Sequence, residues 1–231
     1  MLGFFGLFRY EFAMSIRRRG LWIAYGLLFA FHTFLLFAPA PLGEFVAGEV
    51  ISEREVFWVA ARFLVAVNVL FPVVVGILSA DRVLRDFGAD RRGGAGTGGM
   101  GGMRELQEST PLRRLPYGMA KFTATLAASL LPVFFWVLGI AITMVSIGHA
   151  PANFLVAVPL AFFAITVPAF GFVIAFSLVG PLLMPLSVYQ VLFTGYWFWA
   201  NFIPPQLFPT LNGTLLTPSG IFAAQAFFHG E

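Results

Sequence analysis

The run Gly93-Gly94-Ala95-Gly96-Thr97-Gly98-Gly99-Met100-Gly101-Gly102 is where the residue types come nearest to a phosphate cradle. A nucleotide-binding loop of that kind ends in Gly-Lys-Ser/Thr, because the lysine reaches the phosphates. The first lysine of this chain is Lys121, so the run reads as a flexible linker. Metal chemistry lacks its ligands. Cysteine is absent, and His32 and His149 stand far apart with no acidic residue beside either. Covalent chemistry inside apolar segments would need paired aspartates, a His-Glu-x-x-His pair or a serine with a base, and none is present. The chain is therefore read as having no catalytic site and no cofactor of its own. Paired carboxylates are also missing from the apolar segments, so a proton- or sodium-coupled carrier would lack its usual relay groups.

Five polar side chains interrupt otherwise apolar stretches: His32, Arg62, Asn68, Gln190 and Asn201. Polar groups within a membrane span usually face the interior of the bundle. Arg62 lies near the end of its stretch, where a long side chain can reach the interface. Asn68 lies near the middle of its stretch and is the candidate interior polar contact. A helix–helix hydrogen bond is the reading favoured there over contact with a substrate.

The charged residues gather in one long polar segment. Asp81, Arg82, Arg85 and Asp86 open it, and Tyr117 and Lys121 close it. Between them Arg104, Glu105, Glu108, Ser109, Thr110, Pro111, Leu112, Arg113 and Arg114 form a compact element of mixed charge. Ser-Thr-Pro is a helix-start or turn signal, which would make that element rigid. The plainer reading is a solvated loop whose arginines only set topology.

These residues need elements to hold them, and the rest of the chain says which. From Phe122 to Gly230 there is no Asp, Glu, Lys or Arg. A water-soluble fold needs a charged surface, so that half must sit in lipid. The whole chain agrees, with 11% charged residues and 29 phenylalanines, against about 25% charged in soluble proteins. A spanning helix takes about 20 residues, so 231 residues leave no room for a soluble catalytic domain. The net charge of +3 would suggest nucleic acid in a soluble protein. Here the arginines flank apolar spans, so topology is the better explanation and no nucleic-acid partner is expected.

The expected fold is one all-α transmembrane domain over 1–231, a polytopic bundle with five clear spans. These fall at about 21–38, 56–80, 122–147, 154–178 and 182–203. Residues 2–19 read as an amphipathic interfacial helix, with Phe4, Phe5, Phe8, Phe12 and Ile16 on one arc, and as retained rather than cleaved. Segment 81–121 is the long polar loop, and 204–231, broken by prolines, is an outer or re-entrant tail. Arg9, Arg17, Arg18 and Arg19, with the eight basic residues of 81–121, place the N-terminus and that loop in the cytoplasm. Trp22, Trp58, Tyr196, Trp197 and Trp199 fit an aromatic belt at the interfaces; Trp136 falls in mid-span and does not.

The loop resembles that of permease subunits of the type-2 ATP-binding-cassette exporters. The resemblance rests on Asp81-Arg82-x-x-Arg85-Asp86, on Glu105-Leu106-x-x-Ser109-Thr110-Pro111-Leu112-x-Arg114, and on Tyr117-x-x-x-Lys121-Phe122, in that order. Tyr10-Glu11-Phe12 followed by Arg17-Arg18-Arg19-Gly20-Leu21-Trp22 is similar to the family's connecting helix entering its first span. Motifs cover about residues 8–125, and the remainder is similar by hydropathy alone. The resemblance implies a membrane-spanning permease subunit of the bacterial cytoplasmic (inner) membrane. Its partners would be cytosolic ATPase subunits, a second copy or a similar permease, and membrane lipids. Residues 104–114 would be the coupling element that docks on the ATPase, which would supply all ATP hydrolysis. The chain departs from the family pattern in its Gly-rich run at 93–102 and in a sixth span that is missing or irregular. The alternative from another class is a non-transporting assembly or anchoring protein whose loop binds a different partner.

Overall fold

The computed structural model describes residues 2–37, 50–82 and 114–228, apart from 213, 215 and 216. Of the candidate coupling residues, Arg104, Glu105, Glu108, Ser109, Thr110, Pro111, Leu112 and Arg113 lie outside the described residues, as do Arg85, Asp86 and the Gly-rich run. No strand occurs among the described residues. The chain runs through α1 (Leu2–Ile16), α2 (Arg19–Phe37), α3 (Val56–Ser79) and α4 (Arg114–Ser146). It continues as α5 (Phe154–Leu183), α6 (Leu186–Phe202) and α7 (Ile221–Phe228).

Four of these helices are long and apolar enough to cross a bilayer: Arg19–Phe37, Val56–Ser79, Leu115–Ser146 and Phe154–Leu183. The protein is thus a helical membrane bundle. The fifth expected span, 182–203, corresponds to α6, which has 17 residues. That is about 26 Å at 1.5 Å per residue, a little short of a hydrocarbon core of about 30 Å. Its limits are set by backbone that cannot continue a helix. Met184 is extended before Pro185, and Ile203 is extended before Pro204 and Pro205.

The other boundaries shift for local reasons. α4 starts at Arg114, about two turns before the apolar stretch. Pro116 falls in its first turn, where a missing N–H costs nothing, and polarity does not prevent helix formation. α5 runs on through Gly180 and Pro181 to Leu183 rather than ending near 178. A methyl at Gly180 would overlap the Tyr189 ring, so glycine there lets α5 and α6 fold tightly against each other. Within α5, Phe162–Thr166 is a π-helical turn shortly before Pro168, an adjustment that accommodates proline inside a span.

α3 is the hub, touching α2, α5, α6 and α7. Over half of it is buried within the protein, against less than a fifth of α2. Gly76 carries its closest approach. An added methyl there would lie 2.6 Å from Val173 Cγ1 and 2.9 Å from Phe193 and Ser177 Oγ, the use of small residues by which spans pack in lipid. Pro72 removes the N–H that would bond the Asn68 carbonyl. In that turn the fully buried Trp197 donates from Nε1 to Val69 O at 2.7 Å.

Trp136, the tryptophan that did not fit a belt, joins a core aromatic cluster. Its ring lies 5.1 Å from Phe29 and 5.7 Å from Phe71, centroid to centroid, and Nε1 donates to Thr33 Oγ1 at 3.2 Å. His32 packs in the same cluster, with Nδ1 2.9 Å from Leu28 O on its own helix. The outward surfaces of the spans carry the exposed side chains of Ile23, Leu27, Phe31, Phe34, Phe135 and Phe163. Apolar surface on that scale is stable only against lipid or another protein.

Two ends of the bundle can be told apart. Ile51 N donates to His149 O at 2.9 Å, so the start of α3 and the end of α4 share one end. Asp81, Arg82, Tyr117, Lys121 and α1 share the other, which by its arginines is the basic end.

Candidate functional site

At the basic end, α1 lies along the first turns of α4 in one of the more extensive helix pairs among the described residues. Its buried residues are polar: Glu11 is 3% exposed and Ser15 3%. Phe5, Tyr10 and Met14 face outward. The face turned to the protein is therefore one that carries Glu11 and Ser15, rather than the phenylalanine arc alone. The arc reading treated lipid as the sole neighbour of α1, whereas α4 occupies one of its sides.

Glu11 Oε1 lies 3.8 Å from Lys121 Nζ, and both side chains are about 96% buried or more. Lys121 Nζ also donates to Tyr117 Oη at 3.4 Å, one turn back on α4. Ser15 Oγ donates to Glu11 O at 2.6 Å, which holds that turn of α1. Arg18, in the break between α1 and α2, reaches the end of α3. Its Nη1 donates to Leu78 O at 2.9 Å, and its Nη2 to both Asp81 oxygens at 3.0 and 3.1 Å. Arg82, 6% exposed, donates from Nη1 to Thr125 Oγ1 of α4.

These contacts have one geometric consequence. Asp81 and Arg82 stand where the polar loop leaves α3, and Tyr117 and Lys121 where it returns into α4. All four are brought together, and α1 with the break that follows it clasps both ends through Glu11 and Arg18. Burying a charge is costly unless an opposite charge stands near it, and here the buried Glu11 faces the buried Lys121 while the partly buried Arg18 pairs with Asp81, so the clasp ties three helices by charge. Of the expected site residues, Asp81, Arg82, Tyr117 and Lys121 belong to it, and Arg114 begins the helix that carries two of them. Arg18 and Glu11 were not singled out in advance as partners of the loop. Glu11 did carry a signal, as the one acidic residue before Glu44 in an apolar and basic segment.

Asn68 is far from this end. It is fully buried at the centre of α3, and Nδ2 donates to Ser219 O at 3.2 Å and Ile165 O at 3.5 Å. Ser219 N in turn donates to Asn201 Oδ1 at 3.0 Å. Non-helical backbone at Ser219 and Gly220, where φ is +82°, is thus tied to the middle of a span. Such backbone is tolerated at membrane depth only when buried in protein. Gln190 Nε2 donates to Ile77 O at 3.4 Å, and Arg62 is exposed.

Among the described residues no group of three His, Asp or Glu side chains could hold a metal ion. The arrangement binds helices together. Comparison with protein-family models, curated proteins and solved structures finds no match.

Proposed function

We propose that the chain is the membrane-spanning permease subunit of an ATP-driven exporter, working through a cytosolic ATPase that docks on residues 104–114. The observation that supports this most is the clasp. A push delivered to the polar loop reaches α1, α3 and α4 together, because Arg18 holds Asp81 and Glu11 faces Lys121. Elements packed in that way move as rigid pieces between discrete arrangements, which is how a docked motor would shift spans. The motif order at 81–122 supports the same reading.

In this reading α6 is the fifth span, slightly short and accommodated by local thinning of the bilayer. The N-terminus is cytoplasmic, with the outward phenylalanines and tyrosine of α1 in the headgroup layer, and 204–228 is a re-entrant tail. The membrane is the bacterial cytoplasmic membrane, and a second permease completes the path. The chain performs no covalent chemistry itself.

The test is co-expression of the full chain with a candidate cytosolic ATP-binding-cassette ATPase subunit, followed by affinity purification. The expected result is a stable complex that Glu108→Ala with Arg113→Ala weakens. Capture of a different cytosolic protein in its place would favour the anchoring alternative. A complex indifferent to both substitutions would remove the docking assignment.

A further inference from the structure

Two fully buried oxygens at the centre of the bundle have no hydrogen-bond partner among the described residues: Asn68 Oδ1 of α3 and Thr166 Oγ1 of the π-helical turn of α5. Asn68 stands against that same turn. Its Nδ2 lies 3.5 Å from Ile165 O, the residue before Thr166, which is long for a hydrogen bond. The same nitrogen donates to Ser219 O at 3.2 Å. Two carbonyls on one side fix the orientation of the amide, because an oxygen turned toward them would meet acceptors only. Oδ1 is therefore the atom left over, and it needs a donor. Thr166 Oγ1 carries one proton and two lone pairs.

The surroundings narrow what can stand between these atoms. Pro72 and Pro168 each withdraw an N–H from their helices close by, so the backbone here is short of donors. The tail covers the turn directly, since a methyl on Gly220 would lie 2.6 Å from Ile165 Cγ2. An anion would need several donors, and the two atoms offer one hydroxyl proton between them. A cation would need its charge balanced, and neither α3, α5 nor the tail 204–228 contains a carboxylate. A water molecule meets both demands. It donates to the amide oxygen and bonds the hydroxyl, as buried waters do when they bridge polar groups with two to four hydrogen bonds.

We propose that one water molecule is bound between Asn68 Oδ1 and Thr166 Oγ1. It joins α3 to the π-helical turn of α5 and, through the Asn68 amide, to the non-helical backbone at Ser219. A bridging water is nearly as good as a direct hydrogen bond, so the site is a polar joint of three segments in the middle of the bundle. The proposal does not depend on coupling to an ATPase.

Two measurements on the full chain test it. The first is an experimental structure in lipid nanodiscs at a resolution that shows ordered waters. The expected result is a density peak about 2.7–3.2 Å from both oxygens. A direct bond between the two atoms, or no peak where both are well defined, overturns the proposal. The second is equilibrium unfolding of Thr166→Val in mixed micelles. A bridged hydroxyl makes this change shift the equilibrium toward the unfolded chain by about threefold, the size of one polar contact within a bundle. An unbridged hydroxyl gives the opposite sign, because valine has the same shape and no polar group to bury. A Thr166→Val protein no less stable than the unaltered chain therefore overturns the proposal. Exchange of sodium and potassium for choline in the buffer should leave the unaltered chain as stable as before. Stabilisation by either metal ion that Thr166→Val abolishes assigns the two oxygens to a cation and overturns the water.

Discussion

Replacing Lys121 by Met removes the ammonium that faces a buried carboxylate. Glu11 is 3% exposed, and Lys121 Nζ is 3.8 Å from its Oε1. Its other oxygen, Oε2, is buried without a hydrogen bond, so solvent does little to support the charge. Deleting one partner of a buried ion pair costs about 3–5 kcal/mol, whereas replacing both by apolar groups of similar volume is near neutral. The long N···O separation puts the expected cost of Lys121→Met at the lower end, about 3 kcal/mol. Glu11→Leu with Lys121→Met should recover most of that loss. The assay is equilibrium unfolding in mixed micelles, run as a double-mutant cycle, in which independent sites add to within about 0.5 kcal/mol. A single substitution that costs under about 0.5 kcal/mol, or a double variant as weak as the sum of the singles, would refute the claim that Glu11 and Lys121 hold α1 on α4.

Gly76→Ala should destabilise by about 1–3 kcal/mol in the same assay, because the methyl meets the buried Val173 and Phe193, which have no room to yield. Gly139→Ala, with nothing within 4 Å of the added methyl, should instead be neutral or stabilising by up to about 1 kcal/mol. Asn68→Leu removes the donor to the Ile165 and Ser219 carbonyls, and such contacts in membranes are worth about 0.6–2 kcal/mol. The chain has no cysteine, so a probe at Ser219→Cys reads this directly: slow maleimide labelling alone, faster when Asn68→Leu is added, and equal rates would contradict the tie. Glu53→Cys and Arg17→Cys should react with an impermeant maleimide from opposite sides of the membrane, the first from outside whole cells and the second only after disruption.

The membrane bundle was legible in the sequence because charge is the one property lipid does not tolerate. Its absence from Phe122 to Gly230 required spans, and Val56 was readable as the start of one. Positions where helix and hydropathy part company were not legible. Arg114, Tyr117 and Lys121 look like loop by polarity, yet they are helical, and Lys121 packs against Glu11 of α1. Gly180 and Pro181 look like a turn, yet they continue a helix, with the Tyr189 ring seated where a side chain at position 180 would lie. Trp136 looked misplaced because interface position, rather than packing against Phe29 and Phe71, was the expectation for tryptophan. The clasp was half legible. Its loop-end residues stood out by motif, whereas Arg18 was one of three adjacent arginines and only the turn between α1 and α2 selects it for Asp81.

The central claim is that the clasp transmits between a docked ATPase and the spans. The most direct measurement is ATP hydrolysis by the partner ATPase, alone and with the full chain reconstituted in vesicles, comparing the unaltered protein with Arg18→Gln and with Asp81→Asn. The account predicts stimulation by the unaltered chain, and reduced stimulation by both variants while co-purification is retained. A stable complex whose hydrolysis rate is the same with or without the chain, or unchanged by both substitutions, would contradict it.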